Sequence, residues 1–193
     1  MPDREPTPMR SPELLGRGTS RLVIVDMQER LLNAMQEGTQ VIAKCEKLIR
    51  AAQILDVPVD ATEQYPKGLG PTVPKLRELL AAPIEKLRFS CAESLPWIDD
   101  ASAREERDQI VVAGIETHVC VLQTALDLIG CGFRVIIPAD AVTSRKPIDR
   151  DFGLKRLADQ GVTVTTTEAI LFEWCEVAGT PEFKQISQLV KDA

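Results

Sequence analysis

The sequence predicts an α/β protein, a three-layer α/β/α sandwich around a six-stranded, mainly parallel sheet. Three features of the chain lead there. From Arg21 onward, short runs rich in β-branched residues alternate with segments whose apolar residues recur at steps of three and four, the pattern of successive βαβ units. The runs are solidly apolar, as in Ile110-Val111-Val112-Ala113, which is how strands read when helices cover both faces of a sheet. Gly130, Gly132, Pro147 and Gly161 fall where helices should end or begin, so the punctuation agrees with the periodicity.

Residues 1–20 mix prolines, arginines and acidic side chains without an apolar stretch, which reads neither as a secretory signal nor as an import peptide. The expectation is a flexible N-terminal arm over 1–20 and one domain over 21–193. Strands are expected at 22–26, 57–62, 84–89, 109–114, 133–138 and 162–167. Between the first two, Thr39 is placed to cap a helix whose residues Val41, Cys45, Leu48, Ala52 and Leu55 form one buried face. A Pro/Gly-rich loop at 65–72 follows the second strand, at the carboxyl edge where open α/β sheets bind ligands. The helix after the fourth strand opens at Cys120 and ends at Gly130 and Gly132. Pro147 takes the first position of the next helix, and Gly161 closes it.

Composition removes several function classes. The chain has 193 residues, 44% hydrophobic and 27% charged, with no apolar run near the ~18 residues of a membrane span. The formal net charge is −6 and the lysines and arginines are scattered, which argues against a nucleic-acid partner. Five cysteines, Cys45, Cys91, Cys120, Cys131 and Cys175, form no CxxC pair and are odd in number. Neither a disulfide framework nor a four-thiolate zinc site follows, and a reducing, cytoplasmic setting is expected.

Cys120 is the most suggestive residue. It lies between the fourth strand and an apolar-periodic helix, where the unpaired N–H groups of a first helical turn favour thiolate over thiol and can hold an oxyanion. Taken alone, a cysteine there is more often an inert small hydrophobe. Asp26 ends the first strand, so a parallel sheet whose order reverses between strands one and four brings it to the same crevice; the alternative for it is a helix cap. Lys86 lies within an apolar strand segment, with Arg88 one strand period away as a rival.

Four segments in order make the site specific: Val23-Ile24-Val25-Asp26-Met27-Gln28, Thr62-Glu63-Gln64-Tyr65-Pro66-x-Gly68-Leu69-Gly70-Pro71-Thr72, Glu85-Lys86-Leu87-Arg88-Phe89-Ser90, and Gly114-Ile115-Glu116-Thr117-His118-Val119-Cys120-Val121. Together they resemble the isochorismatase-like cysteine hydrolase superfamily, closest to its isochorismatase-domain-containing subgroup, from about Arg21 to the end. The resemblance implies a Rossmann-like hydrolase fold and an Asp26–Lys86–Cys120 triad, with Cys120 attacking a carbonyl or nitrile carbon and a thioester intermediate. It also implies a non-proline cis peptide at Ile115–Glu116, with the backbone N–H groups of Glu116 and Cys120 forming an oxyanion hole. The partners it implies are a small-molecule substrate and further copies of the chain, as a dimer or larger. Trp97 and Trp174 are candidates for contacts between copies, with core packing the alternative.

Departures from the family pattern narrow the chemistry. Metal-dependent relatives carry an aspartate and histidines after the second strand, where this chain reads Asp60-Ala61-Thr62-Glu63-Gln64-Tyr65, and His118 is its one histidine. No metal and no cofactor are expected. Relatives that cleave the vinyl ether of isochorismate do not need the cysteine, so its presence tilts the expectation toward a C–N substrate such as an amide. Vinyl-ether hydrolysis and a catalytically idle scaffolding role remain the alternatives. His118 is close enough in sequence to Cys120 to suggest a Cys–His dyad, although the family uses Asp and Lys instead. Gln28, Gln64, Tyr65 and His118 are the substrate-contact candidates, their alternative being ordinary loop hydrogen bonding.

Overall fold

The computed structural model describes residues 10–191. Side-chain alternation along the central strands decides the architecture. In β1 (Ser20–Val25), Leu22 and Ile24 join one apolar core while Val23 and Val25 join another on the opposite face. Strand β4 (Gln109–Ile115) divides in the same way, with Val111, Ala113 and Ile115 on one side and Ile110 and Val112 on the other. A sheet buried on both faces needs two covering layers, hence three layers in all.

The remaining elements follow in chain order. After β1 come α1 (Glu29–Leu32), α2 (Gly38–Ile54), β2 (Val59–Gln64), α3 (Pro66–Leu69), α4 (Pro74–Arg77), β3 (Ile84–Lys86) and α5 (Ala101–Glu106). Beyond β4 lie a π-helical turn (Thr117–Val121), α6 (Leu122–Gly130), β5 (Arg134–Pro138), β6 (Val142–Thr143), α7 (Pro147–Asp159), β7 (Thr163–Thr165), α8 (Thr167–Cys175) and α9 (Pro181–Lys191). The strands are parallel in the order β3-β2-β1-β4-β5-β7, with β6 paired to the end of β4. Helices α1, α2, α4, α8 and α9 pack on one face, and α5, α6 and α7 on the other. Connections leave β1 toward β2 and β4 toward β5, so the order reverses between β1 and β4, and a crevice opens at their carboxyl ends.

Each of the six expected strands is present, and the differences have local causes. The third ends at Lys86 rather than running to Phe89, because the Lys86 ammonium takes the main-chain carbonyls of Arg88 and Phe89 as acceptors and curls the chain around itself. A seventh strand, β6, is only two residues long, too short for periodicity to show. Helix α2 starts at Gly38, so Thr39 lies inside its first turn and caps nothing. Gly132 and Gly161 both take the left-handed backbone that closes a helix.

Of the expected arm, residues 1–9 lie outside the described residues. Arg10 donates to the Glu173 carbonyl and pairs with Glu176, and Leu15 is buried in the α2 and α8 face. Both tryptophans pack inside this chain. Trp97 meets Phe133 edge-on at 5.4 Å and donates to Asp60, and Trp174 is fully buried. Neither is free to contact another copy, so the sequence suggestion of an intermolecular role is corrected.

Candidate active site

Strand β1 ends by turning its last carboxylate inward. Asp26 takes a left-handed backbone, φ 52°, which aspartate tolerates better than most residues, and its side chain is fully buried. The carboxylate has a donor on each oxygen. Lys86 Nζ reaches Oδ2 at 2.7 Å, and Thr62 Oγ1 donates to Oδ1 at 2.8 Å. Thr62 was not among the sequence candidates. Its position follows from the register of the sheet, which sets Val25 beside Thr62, and only the pairing makes that visible.

Lys86 is a fixed cation. Beyond Asp26 its ammonium donates to Gln64 Oε1 at 2.7 Å and to the carbonyls of Arg88 and Phe89 at 3.2 and 2.9 Å. Arg88, the rival, faces solvent and pairs with Glu93. Gln64 therefore supports the lysine: its amide nitrogen donates to the Leu87 carbonyl at 2.7 Å while its oxygen holds the ammonium. Gln28 is equally committed, accepting from the Gln64 backbone N–H and donating to the Gln64 and Gly70 carbonyls. These two residues position the site and leave little free hydrogen-bonding capacity for a ligand.

The nucleophile candidate arrives from β4. Gly114 has φ 122°, and a Cβ there would lie 2.1 Å from the Val25 carbonyl oxygen, so glycine alone lets the end of β4 close on the end of β1. The Ile115–Glu116 peptide that follows is cis. Glu116 then accepts backbone bonds from Val119 and Val121, the second of them the wide step of a π-helical turn, and Cys120 sits within that turn, buried. Its thiol lies within the electrostatic influence of the Asp26 carboxylate, the Lys86 ammonium and the Glu116 backbone. Asp26 thus holds Lys86 directly and acts on Cys120 through its charge.

Electrostatics here differ from the expectation of a stabilised thiolate. Burial and the Asp26 carboxylate push the Cys120 thiol up to about 12, against the opposing pull of Lys86 and the Glu116 backbone. The resting sulfur is therefore a protonated thiol under the influence of a carboxylate. Cys91 is a second buried thiol nearby, pushed up to about 11 by burial and held by Thr124, and the same two charges act on it.

The remaining candidates are dispersed. His118 bonds Ser144 Oγ through Nδ1 at 2.9 Å and faces Asp149 at 3.9 Å, so its ring belongs to the α7 side and a Cys–His dyad is not formed. Glu116 turns its carboxylate to Arg145, accepting from both the backbone N–H and Nε. Tyr65 is half exposed at the rim of a cavity of about 370 Å³ lined also by Pro66, Lys67, Glu85, Lys86 and Leu87. Glu63 ties that rim down by accepting from the Thr72 N–H and hydroxyl. A wider groove of about 750 Å³ between α2 and α9 is lined by no cysteine, serine or threonine. Among the described residues no three His, Cys, Asp or Glu side chains converge to hold a metal ion.

Residues 20–169 match the isochorismatase domain family. The chain belongs to the isochorismatase domain-containing proteins, within the isochorismatase-like hydrolase superfamily. Isochorismatase domain-containing protein 2 of Bos taurus is 38% identical over 181 residues, covering 92% of this chain and 87% of its own. A structure described as MAR1 ribonuclease from Caenorhabditis elegans is 38% identical with a TM-score of 0.84, covering 92% of each chain. YcaC of Escherichia coli, described as an octameric hydrolase of unknown specificity, shares the fold at 22% identity and a TM-score of 0.83, over 94% of this chain and 92% of its own. The isochorismatase-like fold accounts for the parallel sheet and its order. Within the described residues no helix is long and apolar enough to cross a membrane.

Proposed function

We propose that this protein is a cysteine-dependent hydrolase of a small C–N substrate, working through Asp26, Lys86 and Cys120. One observation carries the reading: a single buried carboxylate pairs with the ammonium at 2.7 Å and acts electrostatically on the thiol. Asp26 takes the thiol proton as sulfur attacks the substrate carbonyl carbon, and the N–H groups of Glu116 and Cys120 receive the developing oxyanion. The same proton then goes to the departing nitrogen, leaving a thioester on Cys120. Asp26, ionised again, draws a proton from water, whose oxygen attacks the thioester and restores the thiol. Lys86, held among four oxygen acceptors, offsets the charge on Asp26 and on sulfur.

Mass analysis of the Cys120 peptide after incubation with a panel of small amides tests this. An acyl adduct on Cys120, with turnover abolished in a folded Cys120→Ala variant, is the expected result. Turnover that survives in Cys120→Ala would overturn the mechanism and favour chemistry that needs no thiol, such as vinyl-ether hydrolysis. Absence of any adduct or turnover across the panel would favour a scaffolding role.

A second reading comes from the Caenorhabditis elegans relative, described as a ribonuclease. The net charge of −6 weighs against a phosphate-backbone ligand. RNA cleavage that disappears in Cys120→Ala would replace the amide reading. We also infer a homo-oligomer in a cytoplasmic setting. The octameric description of the Escherichia coli relative and the exposed Leu87, Phe89, Ile148 and Phe152 support the first, and five unpaired thiols support the second. Light scattering on the purified protein reads the assembly directly.

A further inference from the structure

We propose that Cys91 is a resolving thiol for Cys120: a peroxide oxidises the nucleophile to a sulfenic acid, and Cys91 closes on it as a reversible disulfide. This rests on Cys120 being the nucleophile. All five cysteines are free, and the buried ones divide between the two faces of the sheet. Cys45 and Cys175 lie in one apolar core, Cys91 and Cys120 in the other, and Cys131 is exposed. Cys91 is thus the one cysteine that shares a face with the nucleophile.

Thr124 fixes Cys91 over the helix that carries Cys120. Its Oγ1 accepts from the Cys91 N–H at 2.9 Å and donates to the Cys91 sulfur at 3.4 Å. The backbone stays helical through Val121 and Leu122, so Thr124, four positions after Cys120, stands one turn along on the same face. Side chains so spaced have Cβ atoms about 5–6 Å apart. The turn Ala92–Ser94 that follows Cys91 packs on α6 and keeps this approach in place. Asp26 and Lys86 act on both sulfurs, a second sign that the two thiols face one site. Cys91 is fully enclosed while Cys120 keeps 6% exposure, so a small oxidant entering from the crevice meets Cys120 first.

The chemistry closes with hydrogen peroxide as the only co-reactant. As the Cys120 sulfur attacks, the O–O bond breaks, sulfur takes one hydroxyl, and the thiol proton leaves with the other as water, relayed by Asp26. The Cys91 sulfur then displaces that hydroxyl, the S–O bond breaks as S–S forms, and the Cys91 proton departs with it as a second water. Two thiols are oxidised and one peroxide is reduced. The Thr124 hydroxyl, already donating to Cys91, steadies the charge that develops on the attacking sulfur. In a reducing compartment such a bond is transient, which suits a device that shields the nucleophile from irreversible oxidation.

Treating the full chain with hydrogen peroxide and mapping its peptides without reduction tests this. The expected product is a linked Cys91–Cys120 peptide pair, two hydrogens lighter than the reduced peptides, with iodoacetamide labelling of Cys120 lost and then restored by dithiothreitol. In Cys91→Ala and Cys91→Ser the labelling lost to peroxide should not return, because Cys120 goes on to gain two or three oxygens. Wild-type Cys120 that passes straight to those acids, links to another cysteine, or resists peroxide while a panel amide still acylates it overturns the disulfide and leaves the nucleophile in place. A Cys120 that takes neither oxygen nor an acyl group brings down both.

Discussion

Asp26 and Lys86 meet at 2.7 Å with 0% and 1% of their side chains exposed, so neither charge can be removed without stranding the other inside the protein. The loss of one member of such a pair costs about 3–5 kcal/mol, more than the pair itself contributes. Lys86→Met and Asp26→Asn should each lower unfolding stability by that order. The double variant should be more stable than Lys86→Met, because no buried carboxylate then lacks its cation. Denaturant unfolding of the three proteins makes the comparison. Additive losses in the double variant would mean that the two residues do not act as a pair.

The same two residues pull the Cys120 thiol in opposite directions. Asp26 raises it and Lys86 lowers it. Asp26→Asn should therefore shift the pH midpoint of iodoacetamide alkylation at Cys120 downward and speed labelling near pH 8, while turnover fails for want of a base. Lys86→Met should shift the midpoint upward. A shift in the same direction for both would contradict the electrostatic arrangement.

Two glycines hold the site's backbone together and should fail differently. At Gly114 a Cβ would collide with Val25 backbone atoms at 2.1 and 2.8 Å in a left-handed conformation, so Gly114→Ala must pull β4 from β1 and should cost more than ~3 kcal/mol. At Gly153 the Cβ would meet the His118 Cα at 3.2 Å and N at 3.3 Å, both in the turn that carries Cys120. Gly153→Ala should cost ~1–3 kcal/mol and reduce Cys120 acylation out of proportion. Melting curves run beside adduct formation separate the two effects.

Much of this was legible in the sequence because strand position is local and a parallel sheet converts it into a shared edge. Asp26 and Cys120 each follow an apolar strand and Lys86 lies within a third, so the reversal between β1 and β4 sets the first two at one crevice. The supporting residues were less visible. Thr62 is defined by its register with Val25, Gln28 by bonds to the backbone of Gln64, and Arg145 by a two-residue strand with no periodicity. The state of the sulfur is hidden in the sequence for a related reason: a helix start favours thiolate, but the carboxylate that opposes it lies 94 positions away in the chain, from 26 to 120, and only the fold brings it near.

Buried thiols should also give the folded protein a characteristic sensitivity to alkali. Cys91 and Cys120 are pushed from an ordinary value of 9.0 up to about 11 and about 12, and Cys45, wholly enclosed in the α2 face, is raised further by burial. A thiol whose folded value lies above its unfolded value binds its proton more tightly in the folded state. Its contribution is complete below about pH 9 and is lost as pH rises through the folded values, because only the unfolded chain releases the proton early. Each such thiol steepens the loss of stability by up to ~1.4 kcal/mol per pH unit within that window. Urea unfolding between pH 8 and pH 11 should show stability falling with pH, and the combined Cys45→Ala and Cys91→Ala substitutions should flatten the fall while lowering the starting value. An equal slope in the substituted protein would assign the alkaline loss to lysine and tyrosine titration instead.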